Sequence, residues 1–220
     1  MDLKPTVIGI TGSFGKTSVK HILGHILSSH APTLITPGSV NTPMGITRII
    51  REELDETHKY FVAEMGAYGP GSIERLCRLA PPNTGVITAI GHAHYERFKT
   101  LETVAEAKYE LAQSVIGREG TAIVQEKTLR FPYTRDMKNA HDTAFIVCGA
   151  EENNDLYVEH AEQTLDGLKI RLKWQNEDYD IEAPLFGLHH ADNAALAFAT
   201  SCTLGIPTEI VINALKTTPQ

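Results

Sequence analysis

Residues 6–18 read TVIGITGSFGKTS, and this stretch decides the fold. The first five residues are mostly β-branched and apolar, which predicts a buried strand. The residues after the glycines show the spacing of one apolar helix stripe, formed by Val19, Ile22, Leu23, Ile26 and Leu27. A glycine-rich turn between a strand and a helix lets backbone N–H groups and the helix N-terminus surround phosphate oxygens. The stretch therefore predicts a strand, a phosphate loop and a helix.

The residues of this loop suit a nucleotide phosphate. Gly12 and Gly15 allow the backbone to approach a ligand closely, and Lys16 supplies a positive charge. The hydroxyl of Thr17 or Ser18 can reach a magnesium ion. The alternative is a glycine-rich turn that precedes a lysine and binds nothing.

The rest of the chain shows two different patterns of predicted secondary structure. As far as about residue 149, short β-branched runs such as YFVAEM and TGVITAI alternate with helical patterns, which predicts a mostly parallel sheet flanked by helices. In the region of about 151–186, runs such as LKIRLKW alternate apolar and charged residues, which predicts a small antiparallel sheet. Two helices, about 191–204 and from 208 to about 216, complete this α/β fold.

Composition excludes several classes of function. The 220 residues can form one large or two small domains, and 20 basic against 27 acidic residues argue against nucleic acid as the main partner. The sequence has no apolar run of about 20 residues and no signal-peptide pattern, which predicts a cytoplasmic protein without a membrane partner. Cys77, Cys148 and Cys202 lack metal-ligand spacing and are expected to be reduced thiols.

Three further residues are candidates for a metal site. Glu64 ends the predicted strand YFVAE and His94 follows TGVITAIG, so both belong at the carboxyl edge of the sheet, where the phosphate loop also lies. Lys108 falls within the stripe formed by Val104, Leu111 and Val115 on its helix, so its side chain points towards the buried side. The lysine either extends its ammonium to the surface or is carbamylated and becomes a carboxylate ligand of magnesium.

Four ordered motifs resemble the ATP-binding central domain of the Mur ligases. They are TGSFGKTS at 11–18, EMGA at 64–67, GHAHYERF at 91–98 with EAKYE at 106–110, and GLHHADNAALA at 187–197. The segment EMGAYGPGSIERLCRLAPP and the NTPMG loop at 41–45 look most like the MurF branch, which adds D-alanyl-D-alanine to UDP-N-acetylmuramoyl-tripeptide. The resemblance implies an ATP-dependent amide ligase of peptidoglycan synthesis, in which ATP phosphorylates a carboxylate and an amine displaces the phosphate.

The resemblance also implies a role for each site residue. Lys16, His94 and Lys108 would be catalytic, and the metal ligands for Mg²⁺ would be Thr17, Glu64, His94 and carbamylated Lys108. ATP would be bound by Gly12, Ser13, Phe14, Gly15, Lys16, Thr17 and Ser18, with Asn193 at the adenine. Substrate would contact Asn41, Thr42 and His189.

The resemblance sets the expected domain organisation and leaves two alternatives. Residues 1–220 correspond to the central domain, so the UDP-sugar-binding N-terminal domain and the C-terminal domain of the family are expected to lie outside this chain. One alternative is a Mur-like ligase for another acid, of the folylpolyglutamate or cyanophycin type, although EMGAYGPG argues against it. The other is a noncatalytic nucleotide-binding module, against which the set of Lys16, Glu64, His94 and Lys108 argues.

Overall fold

A computed structural model describes residues 4–92 and 98–219 of the chain. Its centre is one nine-stranded sheet with the strand order β2-β3-β1-β4-β5-β6-β7-β8-β9. The strands are β1 (Thr6–Thr11), β2 (Thr33–Ile35), β3 (Tyr60–Glu64), β4 (Thr84–Ile87), β5 (Thr121–Gln125), β6 (Phe145–Gly149), β7 (Leu156–Gln163), β8 (Leu168–Trp174) and β9 (Glu177–Ala183).

Helices cover both faces of this sheet. They are α1 (Lys16–Ser28), α2 (Pro43–Glu52), α3 (Ser72–Leu79), α4 (Leu101–Ile116), α5 (Pro132–Ala140), α6 (His189–Thr203) and α7 (Thr208–Lys216). Short 3₁₀ turns occupy Glu126–Arg130 and Asp142–Ala144. The predicted α/β class is confirmed. The last helix, α7, begins at Thr208 with Pro207 at its cap position.

The sheet separates two hydrophobic cores, because successive side chains of a strand point to opposite faces. Ile8 and Ile10 of β1 pack with α1, α6 and α7 on one face. Val7 of β1 and Phe61 of β3 pack with α2, α3 and α4 on the other. The central parallel strands are thus buried on both faces, as parallel strands require.

The antiparallel region is continuous with the parallel sheet. Strand β7 pairs parallel with β6 through Cys148–Leu156 and Gly149–Tyr157, and antiparallel with β8, which in turn pairs with β9. The sequence predicted the small antiparallel part but not that it extends the main sheet.

The parallel strands bring their carboxyl ends to one edge. Strand β1 lies between β3 and β4, so the loop after Thr11, the end of β3 at Glu64 and the segment after Ile87 are neighbours. This edge is where open α/β sheets bind ligands.

Among the described residues, no helix is long and apolar enough to cross a membrane.

Candidate functional site

The loop between β1 and α1 is built around two glycines in conformations that other residues avoid. Gly12 has φ 155° and Gly15 has φ 79°. A Cβ on Gly12 would lie 1.9 Å from the Thr88 hydroxyl, and one on Gly15 would lie 2.7 Å from Oδ1 of Asn193. Both positions therefore require glycine.

The neighbouring segment after β4 holds this loop in place. The Ser13 hydroxyl donates to the carbonyl of Gly91 at 3.0 Å and accepts from the Gly91 N–H at 2.9 Å. The Thr88 hydroxyl donates to the carbonyl of Phe14. The Phe14 side chain is 60% exposed and its ring borders Gly91. The loop is therefore a preorganised turn with an aromatic side chain at its rim.

The first turn of α1 faces the space that this loop surrounds. Helix α1 begins after Gly15, and no side chain of the described residues caps it, so its first N–H groups remain available to an anion. The Lys16 ammonium donates to the Gly12 carbonyl at 2.8 Å. Burial lowers the pKa of Lys16, while the charge of Glu64 acts in the opposite direction. These groups can surround a phosphate.

Glu64 lies beside the loop and is only 1% exposed. Its Oε2 accepts a hydrogen bond from the Thr17 hydroxyl at 2.9 Å, and its Oε1 accepts one from Nδ2 of Asn41 at 3.0 Å. The Tyr68 hydroxyl donates to Oδ1 of Asn41 at 2.8 Å, which fixes the orientation of that amide. The structure thus brings two of the predicted metal ligands, Thr17 and Glu64, into direct contact.

Lys20 is a member of this cluster that the sequence analysis missed. It is 0% exposed, and its ammonium lies 3.3 Å from Oε2 of Glu64 and donates to the Gly38 carbonyl. Burial lowers its pKa, and the charge of Glu64 counteracts that shift. The sequence does indicate that Lys20 is buried. It lies at the border of the apolar stripe of α1, at helical spacing from Leu23, Gly24 and Leu27.

Lys108 is buried, as the helical pattern predicted, with 3% of its surface exposed. Burial, followed by repulsion from Lys16, lowers the pKa of Lys108 to about 7. Among the described residues, no carboxylate forms an ion pair with it. Lys108 therefore carries much less positive charge near neutral pH than an ordinary lysine.

The predicted ligand His94 lies outside the described residues. Within residues 4–92 and 98–219, no three His, Cys, Asp or Glu side chains form a cluster that could hold a metal ion. A metal at Thr17 and Glu64 would need further ligands from elsewhere.

The remaining candidates occupy different positions. Asn41 supports Glu64, whereas Thr42 caps α2 by accepting from the Gly45 N–H at 3.3 Å. Asn193 is buried, and its amide lies 3.2 Å from Nδ1 of His190 and borders Gly15. His189 is exposed at the start of α6, with its ring 4.2 Å from that of His190. Asn193 thus lies at the phosphate loop, and His189 lies on the surface nearby.

A cavity of about 510 Å³ lies against the N-terminal half of α1. It is mostly apolar, and its lining residues come from α1, α6 and the segments after β9 and α7: Ser18, His21, Ile22, Pro184, Leu185, Phe186, His190, Thr218 and Pro219. Since Ser18 also belongs to the first turn of α1, the cavity and the phosphate loop are neighbouring parts of one site.

A strand, phosphate loop and helix with an acidic residue at the end of the neighbouring strand are typical of nucleotide-binding α/β domains. Residues 10–201 match the Mur ligase middle domain, so the chain belongs to that family.

Individual relatives point to one branch of the family. A UDP-N-acetylmuramoyl-tripeptide–D-alanyl-D-alanine ligase of Buchnera aphidicola is 30% identical over 97% of this chain and 46% of its own length. The crystal structure of MurF from Acinetobacter baumannii is 30% identical, with a TM-score of 0.87 over 98% of this chain and 46% of that one. MurF from Thermotoga maritima in complex with ADP is 25% identical, with a TM-score of 0.87 over all of this chain and 49% of that one. The chain therefore spans about half the length of these relatives.

Proposed function

We propose that this chain is the central ATP-binding domain of a MurF-type ligase, which activates a carboxylate as an acyl phosphate for attack by an amine. The observation that carries the proposal is the contact between the phosphate loop and Glu64 through the Thr17 hydroxyl. The MurF structure from Thermotoga maritima is a complex with ADP, which supports a nucleotide as a ligand of this domain.

The residues of the site fit a magnesium ion. Thr17 and Glu64 offer hard oxygen ligands of the type that Mg²⁺ prefers. Such an ion would neutralise charge on the transferred phosphoryl group. The chain itself contributes the Lys16 ammonium and the free N–H groups of the first turn of α1, which bind and orient the phosphates.

Lys108 would complete the site as a carbamate. Its low pKa supports this proposal, because only an uncharged amine can attack carbon dioxide. The neutral amine forms a bond from its nitrogen to the carbon of carbon dioxide and releases one proton, so an uncharged group becomes an anion. Counted from the ammonium form, two protons are released in total. With His94, the carbamate would provide oxygen and nitrogen ligands for a second cation.

The nucleoside part of ATP would occupy the apolar cavity next to the phosphate loop. The cavity begins at Ser18 and is bordered by His190, which contacts the proposed adenine ligand Asn193. Phe186 lines the cavity with its ring half exposed, and such a ring can cover one face of a base.

The substrates follow from the MurF branch. They would be a UDP-N-acetylmuramoyl-peptide as the acid and D-alanyl-D-alanine as the amine, with Asn41, Thr42 and His189 on the substrate side. Flanking domains would supply further contacts, and the reaction would take place in the cytoplasm.

Lys16→Ala tests the proposed nucleotide site. We expect calorimetry with Mg-ADP or Mg-ATP to show binding to the parent chain and a loss of at least about tenfold in the variant, because Lys16 supplies the positive charge of the loop. Circular dichroism should show an unchanged fold.

The matched control is Lys173→Ala, which removes an exposed lysine from β8. It should bind the nucleotides as the parent does. Equal nucleotide affinity in parent and Lys16→Ala would show that the glycine-rich turn is not a phosphate site.

A further inference from the structure

Lys20 is a buried cation that the proposed phosphoryl chemistry does not use. It extends from α1 towards the end of β3, where its ammonium lies 3.3 Å from Oε2 of Glu64. A fully buried lysine is costly unless it is paired. The ion pair with Glu64 and the bond to the Gly38 carbonyl supply that pairing.

The ammonium competes for an oxygen that the proposed metal would need. Oε2 of Glu64 accepts from both the Thr17 hydroxyl and Lys20, at 2.9 Å and 3.3 Å. The other oxygen is held by Asn41 at 3.0 Å. Both oxygens of the carboxylate therefore have hydrogen-bond donors within the protein.

Electrostatics then disfavours a divalent cation on its own. A metal bound to Oε2 would share a single negative charge with Lys20, and Lys16 adds another positive charge near Glu64. In the described part of the chain, no group of three or more His, Cys, Asp or Glu side chains is placed to hold a metal ion. The phosphates of a nucleotide bring several negative charges to the same place and reverse this balance.

We propose that Lys20 is a positioning residue that acts as the resident cation of Glu64, so that the site takes up its divalent cation together with nucleotide phosphates and not beforehand. Lys20 orients the carboxylate and sets a low affinity for the free metal. The inference rests on the proposed function, because it uses the same Thr17 and Glu64 pair.

The test measures the binding of Mn²⁺ alone to the 220-residue chain, by the loss of the electron paramagnetic resonance signal of free Mn²⁺. We expect weak binding by the parent. Lys20→Gln and Lys20→Met should each bind Mn²⁺ at least about tenfold more tightly, because both remove the competing charge. Lys20→Gln can still hydrogen-bond, so the pair of variants separates the role of the charge from that of the contact.

Two controls identify the site of binding. Lys169→Gln makes the same change in net charge at an exposed position on β8 and should match the parent. Adding Glu64→Gln to Lys20→Met should remove the gain. Circular dichroism checks the fold of each variant.

Mn²⁺ affinities no higher in the folded Lys20 variants than in the parent would overturn the proposal. So would tight, Glu64-dependent binding of Mn²⁺ alone by the parent, a result that needs no folded Lys20 variant. The measurement contains no nucleotide, so it stays separate from calorimetry with Mg-ADP. A parent that fails to bind nucleotide would overturn the proposed function and leave the Mn²⁺ result for Lys20 standing.

Discussion

Lys108 carries a chemical prediction at the scale of one residue. In the full-length ligase we expect Lys108→Ala to lose activity and to regain part of it when a small carboxylate is added, because the missing group is an anion. Lys108→Arg should not substitute, since a guanidinium cannot be carbamylated. Incubation with ¹³C-bicarbonate should give a carbamate signal by NMR in the parent and none in Lys108→Ala. Ligase activity of Lys108→Arg near that of the parent would contradict the carbamate.

The same side chain predicts a pH dependence of stability. Its pKa is about 7 in the folded chain against an ordinary value of 10.5. The unfolded chain therefore binds more protons between these values, so this group makes stability rise with pH across that window and leaves it lowest below pH 7. In buffer free of carbon dioxide, Lys108→Met should melt several degrees above the parent at pH 6. The difference should shrink towards pH 10.

Thermal melts at both pH values provide the measurement. Lys173→Met removes an exposed lysine and should show neither effect. A Lys108→Met variant less stable than the parent at pH 6 would mean that the ammonium is paired after all.

The burial of an individual residue could be predicted from the sequence where a charged side chain falls within the apolar stripe of a helix. A lysine inside an apolar stripe revealed that Lys108 is buried, and the same reasoning applied to α1 would have found Lys20. The contact between Lys20 and Glu64 joins residues 44 positions apart, and no local pattern encodes it. The support of Glu64 by Asn41 depends in the same way on a fold-level contact.

Among the secondary-structure elements, helix α3 is unusual in that a side chain of another helix caps its N-terminus. Its cap position is Gly71, which has no side chain to accept a hydrogen bond. Glu110 of α4 accepts from the N–H groups of Gly71 at 2.6 Å and Glu74 at 2.9 Å. This carboxylate also opposes the positive end of the helix dipole.

Glu110→Ala should therefore destabilise the fold by about 1–2 kcal/mol, the usual cost of a lost N-cap. For a chain of this size the melting temperature should fall by roughly 2–4 °C for each kcal/mol. Urea unfolding measures the free energy directly. Glu106→Ala, an exposed glutamate one turn earlier on α4, should change it little. Equal losses in the two variants would show that the cap contributes nothing.

Elements could largely be predicted from the sequence, since their apolar periods are local. The helix that the apolar stripe around Lys108 predicted is α4, Leu101–Ile116. Strand pairing is not local, and nothing in residues 151–186 indicates that β7 joins the parallel sheet at β6. The hydrogen bonds from Gly71 and Glu74 to Glu110 join residues 39 and 36 positions apart, so no local sequence pattern predicts this cap of α3.

The last prediction concerns the whole molecule, namely residues 1–220 studied on their own. We expect them to fold and to bind Mg-ATP weakly but to form no amide bond. Two cores on either side of the sheet support folding. Catalysis needs acid, ATP and amine held at reacting distance, which supplies roughly 7–11 kcal/mol in well-oriented cases. This chain matches only 46% of the Buchnera ligase, so we expect part of that positioning to be missing.

Calorimetry with Mg-ATP and a phosphate-release assay with candidate acids and amines measure the two halves of this prediction. Amide synthesis by the 220 residues alone would contradict the second half. A chain that is unfolded by circular dichroism would contradict the first.

The two edge strands of the sheet determine how readily the chain can aggregate by strand pairing. One edge is β2, which is only three residues long, and the other is β9, whose sequence EDYDIEA places four carboxylates along its seven residues. A long uncharged edge is a template onto which strands of other molecules can pair and aggregate. The short β2 offers too little length. On β9, Asp180 and Glu182 form ion pairs with Arg171 and Lys169 of β8, but the exposed carboxylates of Glu177 and Asp178 would repel a second copy of the strand. The acidic strand that ends the sheet thus also protects the molecule from polymerising through it.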